Sequence, residues 1–194
     1  MRFPLVILLI EIVLLSISER ALAQECTHLW QHTMEINPST PKPMSGDTYA
    51  SYGLVGFHDK PGLRLEMRGQ FHHGRFMSFE SYRTKQKLKV DALFDFEMQA
   101  DEGSENPFLR NVPMESPNRD YRVSFVPEGV MSPTSNTVLL SPDARVHSIF
   151  YRAYVPSEGV VPTVADLPKL FAFDSLTGES IDCPEALDTV YDPG

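Results

Sequence analysis

Apolar and polar positions alternate in short runs along most of the chain. The alternation is strict in Leu63-Arg64-Leu65-Glu66-Met67-Arg68, which is typical of a strand with one buried and one solvated face. Comparable runs recur at 75–82, 92–99, 121–126, 137–140, 146–155 and 170–173. Turn-forming residues such as Pro61-Gly62 and Glu102-Gly103 separate these runs. Seven or eight short strands at this spacing predict a mainly β fold, an antiparallel β-sandwich or jelly roll.

Helical signals are few and short. Residues 27–34 could form one or two turns, and 162–170 could form a short helix. Amphipathic helices of about 10–15 residues, which a parallel α/β fold places between its strands, have no counterpart in the pattern. We therefore expect one or two short helical segments attached to the sheets.

The first 23 residues have the pattern of a cleaved signal peptide. Arg2 supplies a positive charge, 3–17 is an apolar run, and Ala21-Leu22-Ala23 is a small-x-small cleavage site. Glu11 interrupts the apolar run, which disfavours a permanent membrane anchor. The sequence therefore predicts an exported protein, periplasmic or secreted, with no membrane span after the signal peptide, residues 1–23, is cleaved.

The two cysteines fit this compartment. The chain contains two cysteines, Cys26 and Cys183. An even number of cysteines in an exported protein indicates disulfide bonding, and two cysteines can form one intramolecular disulfide. Two independent buried thiols are the alternative. We expect residues 24–48 to be an N-terminal extension and 49–194 to be a single domain closed by this bridge.

Composition and charge limit the functions to be considered. The 194 residues include 17 Lys and Arg against 26 Asp and Glu, a net charge of −9, and 42% hydrophobic residues. Nucleic acid and anionic membranes are therefore not expected as partners. The chain also lacks a G-x-S-x-G elbow, a phosphate-binding glycine loop, H-E-x-x-H and C-x-x-C. These absences disfavour the common enzyme classes.

Aromatic and cationic residues in the predicted strands form the first candidate site. The candidate ligand-binding residues are Tyr82, Tyr121, Arg152 and Tyr154. Arg152 and Tyr154 share one strand face, so the guanidinium can stack on a ring or meet a ligand acid. A sheet face lined this way can hold a glycan, an envelope component or a small amphiphile. Ordinary cross-strand packing would use the same residues.

Two further patterns could bind a metal ion. The loop that begins at Asp101 offers oxygen ligands from Asp101, Glu102 and Asn106, which makes calcium a candidate cofactor. Its spacing differs from an EF-hand, and a solvated turn would use the same residues. His28 and His32 are four apart and would share a helix face, although a third ligand is not evident.

Asp95 and Glu97 form a third candidate site. On a strand they would lie on one face about 6.6 Å apart, a spacing compatible with acid and base roles in a hydrolase or lyase together with His72 or His73. The apolar residues between them would equally place both carboxylates on the solvated face of an ordinary strand.

Several short motifs follow one another over about residues 50–170. They are Gly74-Arg75-Phe76-Met77-Ser78-Phe79, Tyr82, Asp95, the segment 101–108, Arg119-Asp120-Tyr121 and Tyr151-Arg152-Ala153-Tyr154-Val155-Pro156. Their order resembles a family of exported bacterial β-sandwich domains of unknown function. The resemblance implies a β-rich fold and no particular reaction. We therefore rank a non-catalytic binding module first, a structural or secreted interaction protein second, and a His/carboxylate enzyme third.

Overall fold

The computed structural model describes residues 23–36, 50–130, 135–154 and 167–188. Within these residues the protein is mainly β, as predicted. The strands are β1 (Trp30–Ile36), β2 (Ala50–His58), β3 (Leu63–Gln70), β4 (Phe76–Arg83), β5 (Leu88–Phe94), β6 (Asp120–Pro127), β7 (Thr137–Leu140), β8 (Val146–Tyr154) and β9 (Lys169–Asp174). Two 3-10 turns, at Thr27–Leu29 and Asp95–Glu97, supply the short helical segments. No helix within the described ranges has the length and apolar character needed to cross a membrane.

The strands form two sheets. One contains β1-β2-β8-β4-β5 and is antiparallel throughout, and the other contains β7-β6-β3-β9. The expectation of purely antiparallel pairing is wrong for β7, which runs parallel to β6. The other side of β7 meets the five-stranded sheet, because the Leu139 N–H donates to Asp91 at 2.8 Å and the Ser81 hydroxyl donates to the Leu139 carbonyl at 2.5 Å. These bonds satisfy backbone groups that an edge strand would otherwise leave open.

The two sheets share one hydrophobic core. Phe79 of the five-stranded sheet contacts Tyr121 and Phe125 of the four-stranded sheet, with ring centroids 5.7 and 6.0 Å apart. Fully buried aliphatic residues surround these rings, including Leu65, Met67, Met77, Val123, Val138 and Ile149. Burial of each large apolar side chain contributes about 1.5–3 kcal/mol, so this layer is the main source of stability.

Segments near both ends of the described chain join the edges of the two sheets. The Cys26 N–H donates to the Leu170 carbonyl on β9 at 2.8 Å, and the Leu187 N–H donates to the Gly56 carbonyl on β2 at 3.2 Å. Cys26 and Cys183 are disulfide-bonded, as predicted, with Cα atoms 5.7 Å apart. The bridge therefore fixes the N-terminal segment and the segment after β9 to each other.

The N-terminal part differs from the expected structure. Only Thr27–Leu29 of the predicted helical segment 27–34 is helical, and β1 begins at Trp30. The expected extension at 24–48 therefore contributes an edge strand that pairs with β2. The predicted signal peptide, apart from Ala23, and residues 162–166 of the predicted short helix lie outside the described residues.

Candidate functional site

The outer face of the five-stranded sheet is rich in aromatic rings. Alternate residues of β2, β4 and β8 point away from the core and form what we call the aromatic face, composed of Tyr52, Phe76, Tyr82, Phe150, Arg152 and Tyr154. All six are half-buried. Strand pairing places Tyr154 opposite Phe76, and Arg152 between Tyr52 and Ser78. Three of the four predicted ligand-binding residues, Tyr82, Arg152 and Tyr154, therefore lie on this one surface.

The rings of this face pack mainly edge to face. Phe76 and Tyr154 have centroids 5.2 Å apart at an interplanar angle of 82°, and Tyr82 and Phe150 are 5.1 Å apart at 67°. These are the geometries that the ring quadrupoles favour. The Arg152 guanidinium lies 5.7 Å from the centroid of the Tyr52 ring, within cation–π range. Part of each ring remains open to solvent.

An ion pair lies at the centre of the aromatic face. Arg152 Nη1 is 3.2 Å from Glu80 Oε1, and the Tyr82 hydroxyl donates a hydrogen bond to the other carboxylate oxygen. The Glu80 side chain is 6% exposed and that of Arg152 is 30% exposed. The carboxylate is thus compensated by one donor from β8 and one from its own strand β4, which a charge this deeply buried requires.

Two polar groups beside this ion pair have no hydrogen-bond partner. They are Arg152 Nε and the hydroxyl of Ser78, both closed to solvent. Ser78 and Arg152 are paired across β4 and β8, so the two groups are neighbours. Buried polar groups are bonded in the great majority of cases. The centre of the aromatic face therefore has hydrogen-bonding capacity that the described protein atoms do not use.

Tyr121, the fourth predicted ligand-binding residue, belongs to the core and not to this surface. It is 1% exposed and contacts the Phe71 ring at 5.0 Å. Its register partner is Gly69, where a Cβ atom would lie 2.7 Å from the Tyr121 hydroxyl. The absent side chain at Gly69 makes room for the phenol, and burial raises the pKa of Tyr121 well above its ordinary value.

The predicted calcium ligands do not converge. Asn106 is buried, and its amide nitrogen donates to the carbonyls of Asp95 and Met98 at 2.7 and 2.8 Å. Asp101 forms an ion pair with Arg122 at 3.2 Å, and Glu102 is exposed. Across the described ranges, no group of three or more His, Cys, Asp or Glu side chains is placed to hold a metal ion.

Asp95 and Glu97 do not lie on a strand, because β5 ends at Phe94. Asp95 accepts hydrogen bonds from the Met77 and Phe96 N–H groups at 2.8 and 2.7 Å, and Glu97 accepts one from the Phe94 N–H at 3.0 Å. Burial raises the pKa of Asp95 against these bonds. Both carboxylates therefore accept backbone hydrogen bonds that stabilise the 3-10 turn and its attachment to β4.

The two candidate histidines have different environments. His73 is exposed, and its neighbour His72 is half-buried with its ring packed edge-on against Phe108 at a centroid distance of 5.8 Å. His72 Nε2 is 3.1 Å from the Phe76 carbonyl, so that nitrogen carries the proton. Burial lowers the pKa of His72 from 6.5 to about 4. The imidazole is therefore neutral at pH 7 and structural in its contacts.

The lowered pKa of His72 predicts acid-sensitive stability. Above pH 6.5 the imidazole is neutral in both states, whereas between pH 6.5 and about 4 the unfolded chain takes up a proton that the folded protein excludes. Stability is therefore lost as the pH falls through this window, by about 2–3 kcal/mol at pH 4.5. Urea unfolding at pH 7.5 and pH 4.5 measures the loss.

The control for this measurement is His72→Gln, whose amide can still donate to the Phe76 carbonyl. The titrations of Asp95 and His147 contribute to both proteins and cancel in the comparison. We expect the wild type to lose about 2–3 kcal/mol more than the variant between the two pH values. Equal losses in the two proteins would contradict the assignment.

Two features of the structure were not predicted from the sequence. His147 is 1% exposed and its Nε2 lies 3.1 Å from Asp59 Oδ1, a pair 88 residues apart that no sequence spacing indicates. Burial lowers the pKa of His147 despite this partner, and its Nδ1 is buried without a hydrogen bond. The second is the contribution of Phe76 and Phe150 to the aromatic face, and of Glu80 to the ion pair at its centre. Their positions at even spacing from Tyr82 and Arg152 were the available signal.

Comparison with known proteins adds evidence on the fold alone. No protein-family model matches the chain, and no curated protein matches it in sequence. The structure is similar to the crystal structure of an uncharacterised protein from Burkholderia cenocepacia, with a TM-score of 0.51 and 12% identity. The match covers 82% of this chain and 38% of the other, so the chain spans well under half of that protein. At this identity the similarity concerns the mainly β architecture.

Proposed function

We propose that the protein is an exported, non-catalytic β-sandwich that binds a glycan on the aromatic face. One observation carries the proposal: half-buried rings surround a polar centre in which Arg152 Nε and the Ser78 hydroxyl have no partner. Sugars present apolar C–H faces and hydroxyl groups together. A surface that offers rings beside unused donors and acceptors is complementary to both.

The composition of the face favours a glycan over a simple amphiphile. An acyl chain would gain from the rings but would leave the Arg152–Glu80 pair and the Ser78 hydroxyl without new hydrogen bonds. Both groups are closed to solvent in the ligand-free protein, so the Arg152 side chain must shift slightly before a sugar hydroxyl can donate to the Ser78 oxygen and accept from Arg152 Nε. Recognition of this kind raises specificity, because an analogue lacking the hydroxyl would leave the buried groups unpaired.

Export rests on three features of the chain. The N-terminal pattern is that of a signal peptide, the disulfide is typical of oxidising compartments, and the order of motifs resembles a family of exported domains. A periplasmic or extracellular location would place the protein among envelope and extracellular polysaccharides. The two sheets with a shared core are the basis for proposing a sandwich.

Glycan-array screening of the exported, oxidised protein tests the proposal. The array should carry neutral and acidic oligosaccharides, and a fluorescent fatty acid serves as the amphiphile probe. We expect a glycan to bind, and we expect Tyr154→Ala to weaken that binding at least tenfold, about 1.4 kcal/mol. The matched control is Phe171→Ala, which removes a half-buried ring lying under Arg68 on the outer face of the other sheet.

The outcomes separate the alternatives. Binding of the fatty acid without any glycan would replace the proposal with an amphiphile carrier. Equal affinity of Tyr154→Ala and Phe171→Ala for a bound glycan would place the site elsewhere. A protein that binds neither probe but self-associates in sedimentation would support the structural or interaction role instead.

A further inference from the structure

Arg119 carries guanidinium donors that no acceptor uses. The residue lies just before β6, where its carbonyl accepts a hydrogen bond from the Phe71 N–H at 2.8 Å. The side chain is half-buried, while its Nε and Nη1 atoms are closed to solvent and have no hydrogen-bond partner. In the part of the chain that the structure describes, no carboxylate forms an ion pair with it.

Three other half-buried arginines in the described part of the chain have a carboxylate partner, and Arg119 does not. Arg64 and Arg68 each lie 2.6 Å from a Glu66 oxygen, and Arg152 lies 3.2 Å from Glu80. The comparison matters because an unpaired donor in a desolvated position carries a penalty that a paired one avoids. An acceptor supplied by a ligand would remove that penalty.

Aromatic residues lie near the backbone of Arg119, whose carbonyl accepts the hydrogen bond from the Phe71 N–H. His72 lies within electrostatic range of Arg119, and burial, with a smaller contribution from the Arg119 charge, keeps the pKa of His72 low. The His72 ring packs against Phe108, which in turn packs against Phe71 with centroids 6.1 Å apart. Arg119 therefore lies next in the fold to a group of three rings that pack on one another, those of Phe71, His72 and Phe108.

The geometry of a guanidinium indicates how an anion would approach. The Nε–H and one Nη2–H bond lie side by side and form the fork that binds a carboxylate through two hydrogen bonds. Nε is closed and unpaired, whereas Nη2 is not among the buried atoms. A ligand would thus meet Nη2 first and reach Nε through a small rotation of the side chain.

We propose that Arg119 binds the carboxylate of a small organic acid whose apolar part packs against His72 and Phe108. A monoanion matches one guanidinium without a second cation nearby. A phosphate dianion would keep an uncompensated charge in a partly desolvated position, which is costly. This site is separate in residues from the aromatic face and does not depend on the glycan proposal.

Thermal unfolding with small anions tests the proposal. The exported protein is melted in chloride buffer containing sodium benzoate or inorganic phosphate, with ionic strength matched by NaCl. Benzoate at ten times its Kd should raise the Tm of the wild type by about 3–6 °C, and phosphate should raise it far less. Arg119→Met should show no gain. The control Arg122→Met, which removes a cation paired with Asp101, should keep the full gain.

The ligand-free variants separate a binding role from a structural one. Since Arg119→Met removes unpaired buried donors, it should melt no lower than the wild type without benzoate. A lower Tm would assign Arg119 a structural role and overturn the proposal. If Arg119→Met fails to fold, Arg119→Lys keeps the charge but lacks the fork, and it should lose most of the benzoate gain.

Three further results would also overturn the assignment. The first is a wild-type Tm that benzoate does not change. The second is an equal benzoate gain in Arg119→Met and in the wild type. The third is a phosphate gain as large as the benzoate gain, which would refute the choice of a carboxylate.

Discussion

Replacing Cys26 and Cys183 by alanine is expected to lower the free energy of unfolding by about 4–5 kcal/mol. The bridge joins residues 157 positions apart, so its removal releases almost the whole chain in the unfolded state. The effect is large because a disulfide that closes a long loop removes much conformational entropy from the unfolded chain. For a domain whose net stability is typically 5–15 kcal/mol, such a loss is a large fraction.

The position of the bridge explains why its loss would also loosen the native sheet edges. The Cys26 N–H is bonded to β9, and after Cys183 the chain reaches β2, where the His58 N–H donates to the Glu185 carbonyl at 2.8 Å. His28 Nε2 also lies 3.2 Å from the Pro184 carbonyl. Without the bridge, the N-terminal segment is held to the segment after β9 by noncovalent contacts such as this one and the Gln31 amide, which donates to the Leu187 carbonyl at 2.7 Å.

Urea unfolding of oxidised wild type, reduced wild type and the double alanine variant measures the effect. Reduced wild type keeps both sulfur atoms, so its difference from the variant isolates the packing contribution of the two side chains, of which Cys26 is fully buried and Cys183 partly buried. We expect the reduced protein to account for most of the loss. A change below about 1 kcal/mol on reduction, with an unchanged m-value, would show that the bridge does not constrain the chain as described.

Local patterns predicted the strands in which one face meets the core and the other does not. β7 matches its predicted run at 137–140, and β8 and β3 differ from theirs only at the ends. Apolar and polar residues alternate in these strands because one face meets the core. This alternation is visible in the sequence of neighbouring residues. The disulfide was predictable for a different reason, since two cysteines allow one intramolecular pair.

The errors arose where distant residues decide the local structure. β1 contains His32 at helical spacing from His28, yet pairing with β2 makes it a strand. β5 ends at Phe94 because Asp95 turns to cap the Met77 N–H of the neighbouring strand. Such interactions between distant strands are not visible in a window of neighbouring residues.

The candidate site was partly predictable from residue parity. Tyr82, Arg152 and Tyr154 share a face because their strands pair in register. Tyr121 could have been assigned to the core, since Val123 and Phe125 lie at even spacing from it and are buried. The contact between Glu80 and Arg152 depends on the pairing of β4 with β8, which sequence spacing does not specify.

Glu80→Ala is expected to lower the free energy of unfolding by about 3 kcal/mol, which is the second large effect. The substitution leaves the Arg152 guanidinium without its counter-ion and the Tyr82 hydroxyl without its acceptor, both at the centre of the aromatic face. Breaking a buried pair from one side costs about 3–5 kcal/mol, and the partial exposure of Arg152 places the effect at the lower end.

A double-mutant cycle with Arg152→Ala separates the ion pair from simple loss of packing. If the two charges compensate each other, the Glu80→Ala/Arg152→Ala protein will be more stable than the sum of the single losses predicts, by about 1–2 kcal/mol. Arg83→Ala provides the matched control, because its 3.9 Å contact with Asp143 is exposed and should contribute little. Strict additivity at Glu80 and Arg152 would mean that each side chain acts through its own packing. The Glu80–Arg152 contact would then not stabilise the polar centre as a pair.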